Sequence, residues 1–278
     1  MLWKARPIHR QSATQFRGNG VAVAGCRSPR VLFTVVNSIA ERIFMRRVYG
    51  SALMLAAFIF APWTTVAQGQ TETSRTVSGG GISIPGWMGK IDASEEKAGR
   101  ALADSKLSKD GTGMKVTTGP SVTYWNPANK ASGNYTVTAT FTEAKYMNLN
   151  SHPHPYGIMI AGNDLGTDAQ SYLYCAAYGN GNFIVRGFGP AAFQMNGHGA
   201  PNAAVHKAAG PGEPVTQEIA IVVKGDKVDC AINGAVVGSY DKASLVMDGK
   251  LKSTDGIYGI RFSHNTEATV TGLTLIKQ

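Results

Sequence analysis

Residues 217–240 read QEIAIVVKGDKVDCAINGAVVGSY, and this stretch decides the fold class. Gln217 to Lys224 and Lys227 to Ile232 are apolar, β-branched runs on either side of Gly225-Asp226, and Asn233-Gly234 then turns the chain into Ala235 to Tyr240. Two-residue hairpins select such pairs because their residues tolerate positive φ. Three strands therefore follow one another as an antiparallel meander. Cys230 shares its face with Val228 and Ile232, a core pattern.

Outward from the meander, residues 134–143 read NYTVTATFTE. Tyr135, Val137, Ala139 and Phe141 fall on one face and four threonines on the other, so one side is buried and one polar. Further strands are expected at Met114 to Thr117, Val122 to Trp125, Tyr156 to Ala161, Ser171 to Tyr178, Phe183 to Phe188, Ile257 to Ser263 and Thr269 to Ile276. Short strands with Gly-rich turns point to an all-β, antiparallel two-sheet jelly-roll sandwich over residues 82–278. One helical turn is expected at Ser94 to Gly99, with Ser94 as its cap. Gly189 to Glu213 has no strand pattern, and loops of that length are functional or mobile.

Ahead of the domain, Arg46 and Arg47, the uncharged run from Val48 to Phe60, and Thr65-Val66-Ala67 together form a secretory signal pattern over residues 45–67. The apolar run falls short of the roughly 20 residues of a membrane helix. We therefore expect an exported, periplasmic or extracellular protein without stable membrane insertion after cleavage. Translation is expected to begin at Met45, with residues 1–44 a non-native N-terminal extension and residues 68–81 a flexible linker.

The charge of +9 belongs to the leader. Nine of the 27 basic residues and one of the 18 acidic ones lie in residues 1–47, and residues 48–67 carry none, so residues 68–278 carry about +1. A nucleic-acid partner is accordingly not expected. Of three cysteines, Cys26 lies in the leader; Cys175 and Cys230 are available either as a disulfide closing 55 residues or as two buried thiols.

Parity within Ser171 to Tyr178 puts Leu173, Cys175 and Ala177 on a core face and Tyr172, Tyr174, Ala176 and Tyr178 on the other. Arg186 and Arg261 sit among apolar residues on neighbouring strands, where a charged side chain needs an open face or a partner. Aromatic rings stack on sugar CH faces and Arg donates directional hydrogen bonds, so Tyr172, Tyr174, Tyr178, Trp125, Arg186 and Arg261, edged by His152 and His154, form the candidate ligand-binding set. The competing reading packs these rings beneath the Gly189 to Glu213 loop.

Metal-binding and catalytic patterns are weaker. In His152-Pro153-His154-Pro155, histidines at i and i+2 can reach one ion, with Asp164, His198, His206 or His264 completing the set. The alternative is a Pro-stiffened connection whose histidines cap backbone groups, and no metal or cofactor is expected. Gly162-Asn163-Asp164 with Asp168 lacks the spacing of a calcium loop.

The run YLYCAAY, NFIVRGF, QEIAIVVKGDKVDCAINGAVVGSYD, GIYGIRFSHN and VTGLTLIK, with Gly86-Trp87 near the domain start, resembles the concanavalin A-like lectin/glucanase superfamily, and within it the three-ketodisaccharide hydrolase domain family. The resemblance implies the sandwich and a saccharide ligand. In laminarinase-like members it would also imply paired carboxylates on one strand, and no such strand occurs here. We therefore expect a carbohydrate-binding domain. The alternatives are a glycoside hydrolase or lyase acting on a modified (keto) disaccharide, and a structural envelope domain.

Overall fold

Strands make up most of residues 73–278, the part of the chain described by the computed structural model. In chain order they are β1 (Gly81–Ile82), β2 (Met88–Ile91), β3 (Lys106–Asp110), β4 (Gly113–Thr117), β5 (Val122–Ala131), β6 (Tyr135–Glu143), β7 (Tyr156–Asn163) and β8 (Ser171–Ala177). There follow β9 (Asn182–Phe188), β10 (Ala192–Gln194), β11 (Ala200–Pro201), β12 (Val215–Lys224), β13 (Lys227–Ile232), β14 (Ala235–Asp241), β15 (Gly256–Phe262) and β16 (Glu267–Lys277). Only α1 (Ala93–Lys97), α2 (Lys242–Leu245) and a 3-10 turn at Leu102–Asp104 are helical.

The strands form two sheets, ordered β1-β3-β4-β16-β6-β12-β13-β14 and β10-β9-β8-β7-β15-β5-β2, with β11 beside β9. Strand pairing is antiparallel except for the two-residue β1 against β3. The expected two-sheet antiparallel sandwich is the observed fold. Its first sheet is built on β6, whose side chains alternate as the sequence implied: Tyr135, Val137, Ala139 and Phe141 are buried and the threonines between them are not. Against them lie Ile158, Ile160, Leu173, Cys175 and Val185 of the second sheet. Each such aliphatic side chain contributes about 1.5–3 kcal/mol by leaving water.

Cys175 on β8 and Cys230 on β13 form a disulfide across this interface, with Cα atoms 5.8 Å apart. The bond joins the two sheets directly. Asn233 and Gly234 both have positive φ, 50° and 81°, and close the β13–β14 hairpin at the pair Ile232–Ala235.

Three details differ from the sequence reading. The N-cap of α1 is Asp92, not Ser94, which lies inside the helix. Part of the expected linker is packed: Ser74 is buried, and Arg75 donates from its backbone N to Asn265 Oδ1 and from Nε to the Thr118 carbonyl. The Gly189 to Glu213 segment contains β10 and β11, both paired with β9. The residues expected as leader lie outside the described part, within which no helix is long and apolar enough to cross a membrane.

Candidate functional site

The parity reading of β8 holds on both faces. Leu173, Cys175 and Ala177 enter the core between the sheets, while Tyr172, Tyr174 and Ala176 join Trp125, Met159 and Ile184 in a second apolar cluster on the outer face. That outer face is covered over Trp125 and Tyr172, where the sequence reading had them face a ligand, and is open only where Tyr174 and Tyr178 border a cavity. Trp125, Tyr172 and Tyr174 retain 2%, 1% and 5% of their surface, beneath Leu165, Phe188 and Ile257. Tyr172 accepts a hydrogen bond from Thr123 Oγ1 (2.9 Å), and its ring lies 5.0 Å from Phe188 and 6.5 Å from Tyr174. Trp125 and Tyr172 therefore do not border the cavity described next.

The two arginines of this face differ. Arg261 on β15 is buried, donates from both terminal nitrogens to the Asp92 carboxylate at 2.6 Å, and adds a 3.2 Å bond to Thr123 Oγ1. Burial works to lower its pKa, but Asp92 overrides this and holds it above the ordinary arginine value. Its guanidinium also lies 5.6 Å from the Tyr174 ring and 5.4 Å from the Phe188 ring.

Arg186 on β9 stands opposite Tyr174 in the strand register, 5.3 Å from the Phe188 ring. Its Nε is buried and lacks a hydrogen-bond partner, and no acidic side chain pairs with it among the described residues. A buried N–H left without an acceptor costs on the order of 1–3 kcal/mol, more on a charged group. Burial pushes the Tyr178 hydroxyl up to about 12 and raises that of Tyr174, so both remain protonated donors at neutral pH.

Arg186, Tyr174, Tyr178, Ile184, Arg261, Ser121 and the Arg261-paired Asp92 line a cavity of about 320 Å³, whose rim is the His152–Pro155 string with Ser263 and His264. A larger depression of about 700 Å³, bordered by Asp168 to Ser171 and Val246 to Lys252, has neither an aromatic ring nor an arginine. Of these two, the smaller cavity is the one that brings tyrosines, guanidiniums and imidazoles together.

At the rim, His152 is exposed, His154 buried and His264 in between, with one ligating atom of each within 4.8 Å of the others. Ring centroids lie 4.2 Å apart for His152 and His154 and 4.0 Å for His154 and His264. Ser263 Oγ lies 3.5 Å from His154 Nδ1, and Ser74 Oγ lies 3.5 Å from His264 Nδ1 while donating to the Glu95 carboxylate at 2.8 and 3.0 Å. Of the four residues that could have joined the His-Pro string, the fold brings His264. Asp164 is paired with Lys252, His206 Nδ1 is 2.8 Å from the Thr216 carbonyl, and His198 is exposed elsewhere. Asp164 and Asp168 are both engaged by lysines, the latter by Lys90 at 3.7 Å.

Asp92 and Ser74 escaped the sequence reading. Asp92 sits 169 residues before Arg261, and no local pattern joins them.

Fold and cavity together define a β-sandwich with a polar, arginine-bearing pocket on one sheet. The chain is similar to the carbohydrate-binding module CBM66 from Bacillus subtilis (TM-score 0.47, 9% identity, covering 72% of this chain and 99% of that one). It is also similar to a Bacillus subtilis protein of unknown function with a galectin-like fold (0.44, 12%, 69% and 89%) and to sheep galectin-11 in complex with glycerol (0.36, 11%, 53% and 92%). No protein-family model matches the chain, and no curated protein matches it in sequence. The sandwich assignment rests on the strand pairing itself.

Proposed function

We propose that the domain binds saccharides bearing a negatively charged group, such as a uronate, in the cavity formed by Arg186, Tyr174 and Tyr178. The observation that carries this is Arg186: a half-buried guanidinium that lines the cavity, with no acidic side chain paired to it among the described residues. A ligand carboxylate supplies the missing counter-charge, in the planar geometry that a guanidinium matches. The Tyr178 and Tyr174 hydroxyls are suited to sugar oxygens, and the half-exposed ring of Tyr178 to a sugar CH face. A volume of about 320 Å³ suits one or two sugar rings, at the small end of ligand pockets. Export belongs to this reading, supported by the Arg46 to Ala67 pattern.

The test is a glycan array probed with the purified chain. Binding concentrated on uronate-bearing glycans is expected, and a profile confined to neutral glycans, or blank, would refute the proposal. A second reading, cleavage of a keto-disaccharide, is favoured by one observation: imidazoles of His154 and His264 border the same cavity as two guanidiniums, which puts acid–base groups beside anion-stabilising ones. Release of monosaccharide from a keto-disaccharide by the purified chain would support that reading.

A further inference from the structure

We propose that His152, His154 and His264 bind a divalent transition-metal ion, with zinc the ion best matched to them, at the rim of the cavity. The proposal stands apart from the saccharide reading and needs no sugar.

The local chain is built to present the first two ligands together. A residue before proline is confined to extended backbone, and both His152 and His154 precede prolines. In extended chain, positions i and i+2 point the same way, which brings these two rings to 4.2 Å. His264 arrives from the end of β15, where the backbone N of Ser263 donates to the Pro155 carbonyl at 2.9 Å and ties the two segments side by side. Three side chains from two segments thus converge.

Three imidazoles select the ion. Calcium and magnesium require sets of oxygen ligands, whereas imidazole suits zinc, copper, nickel and iron. In a tetrahedral zinc site with bonds of about 2.0–2.1 Å, ligating nitrogens lie about 3.3–3.4 Å apart. The three donors here lie within 4.8 Å of one another, so closing on the ion requires inward movement of up to about 1.4 Å, which the exposed His152 can supply.

The surroundings also match. Metal-bound histidines are oriented through their other ring nitrogen by a hydroxyl, carbonyl or carboxylate. Ser263 Oγ stands by Nδ1 of His154, and Ser74 Oγ, itself fixed by Glu95, stands by Nδ1 of His264. Three protein ligands leave a fourth position for water or another ligand.

The experiment is calorimetric titration of the purified, metal-stripped chain with zinc chloride, and separately with calcium chloride. The proposal expects one zinc per chain, no saturable calcium binding, and zinc affinity about a hundredfold or more weaker in His152→Ala and in His264→Ala, with melting temperatures near that of the parent. His198→Ala should bind as the parent does. Zinc binding that is equally weak in the parent and both variants, that follows His198, or that calcium reproduces would overturn the proposal. If His264→Ala does not fold, His152→Ala decides alone, since its side chain is exposed.

Discussion

Arg186 and Arg261 touch the same Phe188 ring, yet one is neutralised by its own protein and the other is not. Arg261 has Asp92 in bidentate contact and belongs to the framework; Arg186 lines the cavity with no acidic partner among the described residues, which is why the functional reading rests on it. Glu143 is the opposite case, a buried acid with no part in the cavity. At the inner end of β6, it keeps 7% of its surface, its Oε2 has no hydrogen-bond partner, and burial pushes its pKa from 4.5 up to about 7. Between those two values the folded state holds a proton that the unfolded chain releases. Stability should therefore be fully present below pH ~4.5 and decline as pH rises through about 7, by about 3 kcal/mol from this group. Urea unfolding at pH 5 and pH 8 measures this: Glu143→Gln should remove most of the difference, and an equal difference in parent and variant would show that Glu143 is not its source.

Among elements, the β13–β14 hairpin makes the most local claim. An added Cβ at Gly234 would meet nothing within 4 Å, so only the backbone, at φ +81°, resists a side chain. Gly234→Val should cost about 1–2 kcal/mol or more, read as a lower denaturation midpoint; an unchanged midpoint would refute the turn assignment. This hairpin and the alternation of β6 were legible because both are written in adjacent residues. By contrast, β2 and β3 were not expected: Met88–Ile91 and Lys106–Asp110 are short and carry glycine or several polar residues, and they become strands through partners elsewhere in the chain. Parity sorted the side chains of β8 correctly, but it cannot say what covers the second face. Leu165, Phe188 and Ile257 do so, and turn Trp125 and Tyr172 into packing while Tyr174 and Tyr178 keep an edge on the cavity. For the same reason His264 could be only one of four options for the His-Pro string until the fold set β15 beside β7.

At the scale of the whole molecule, the Cys175–Cys230 bond ties the sheet that carries the cavity to the sheet behind it. Closing 55 residues, it should contribute about 4 kcal/mol. Reductant should lower the denaturation midpoint of the parent and leave that of the double variant Cys175→Ala/Cys230→Ala where it is; a parent insensitive to reductant at full reduction would contradict this. The tied sheets hold Arg186, Tyr174 and Tyr178 around one small cavity, and the central claim is that Arg186 there awaits an anionic group of a sugar. The most direct test is calorimetric affinity for a uronate oligosaccharide and its neutral counterpart, measured on the parent and on Arg186→Gln, with melting temperatures alongside. One charge-assisted contact, about 1.5–3 kcal/mol, predicts that Arg186→Gln weakens uronate binding about tenfold to a hundredfold, leaves neutral-sugar binding unchanged and melts with the parent. Equal affinity of parent and variant for the uronate, with a lower melting temperature in the variant, would contradict it and make Arg186 a structural residue.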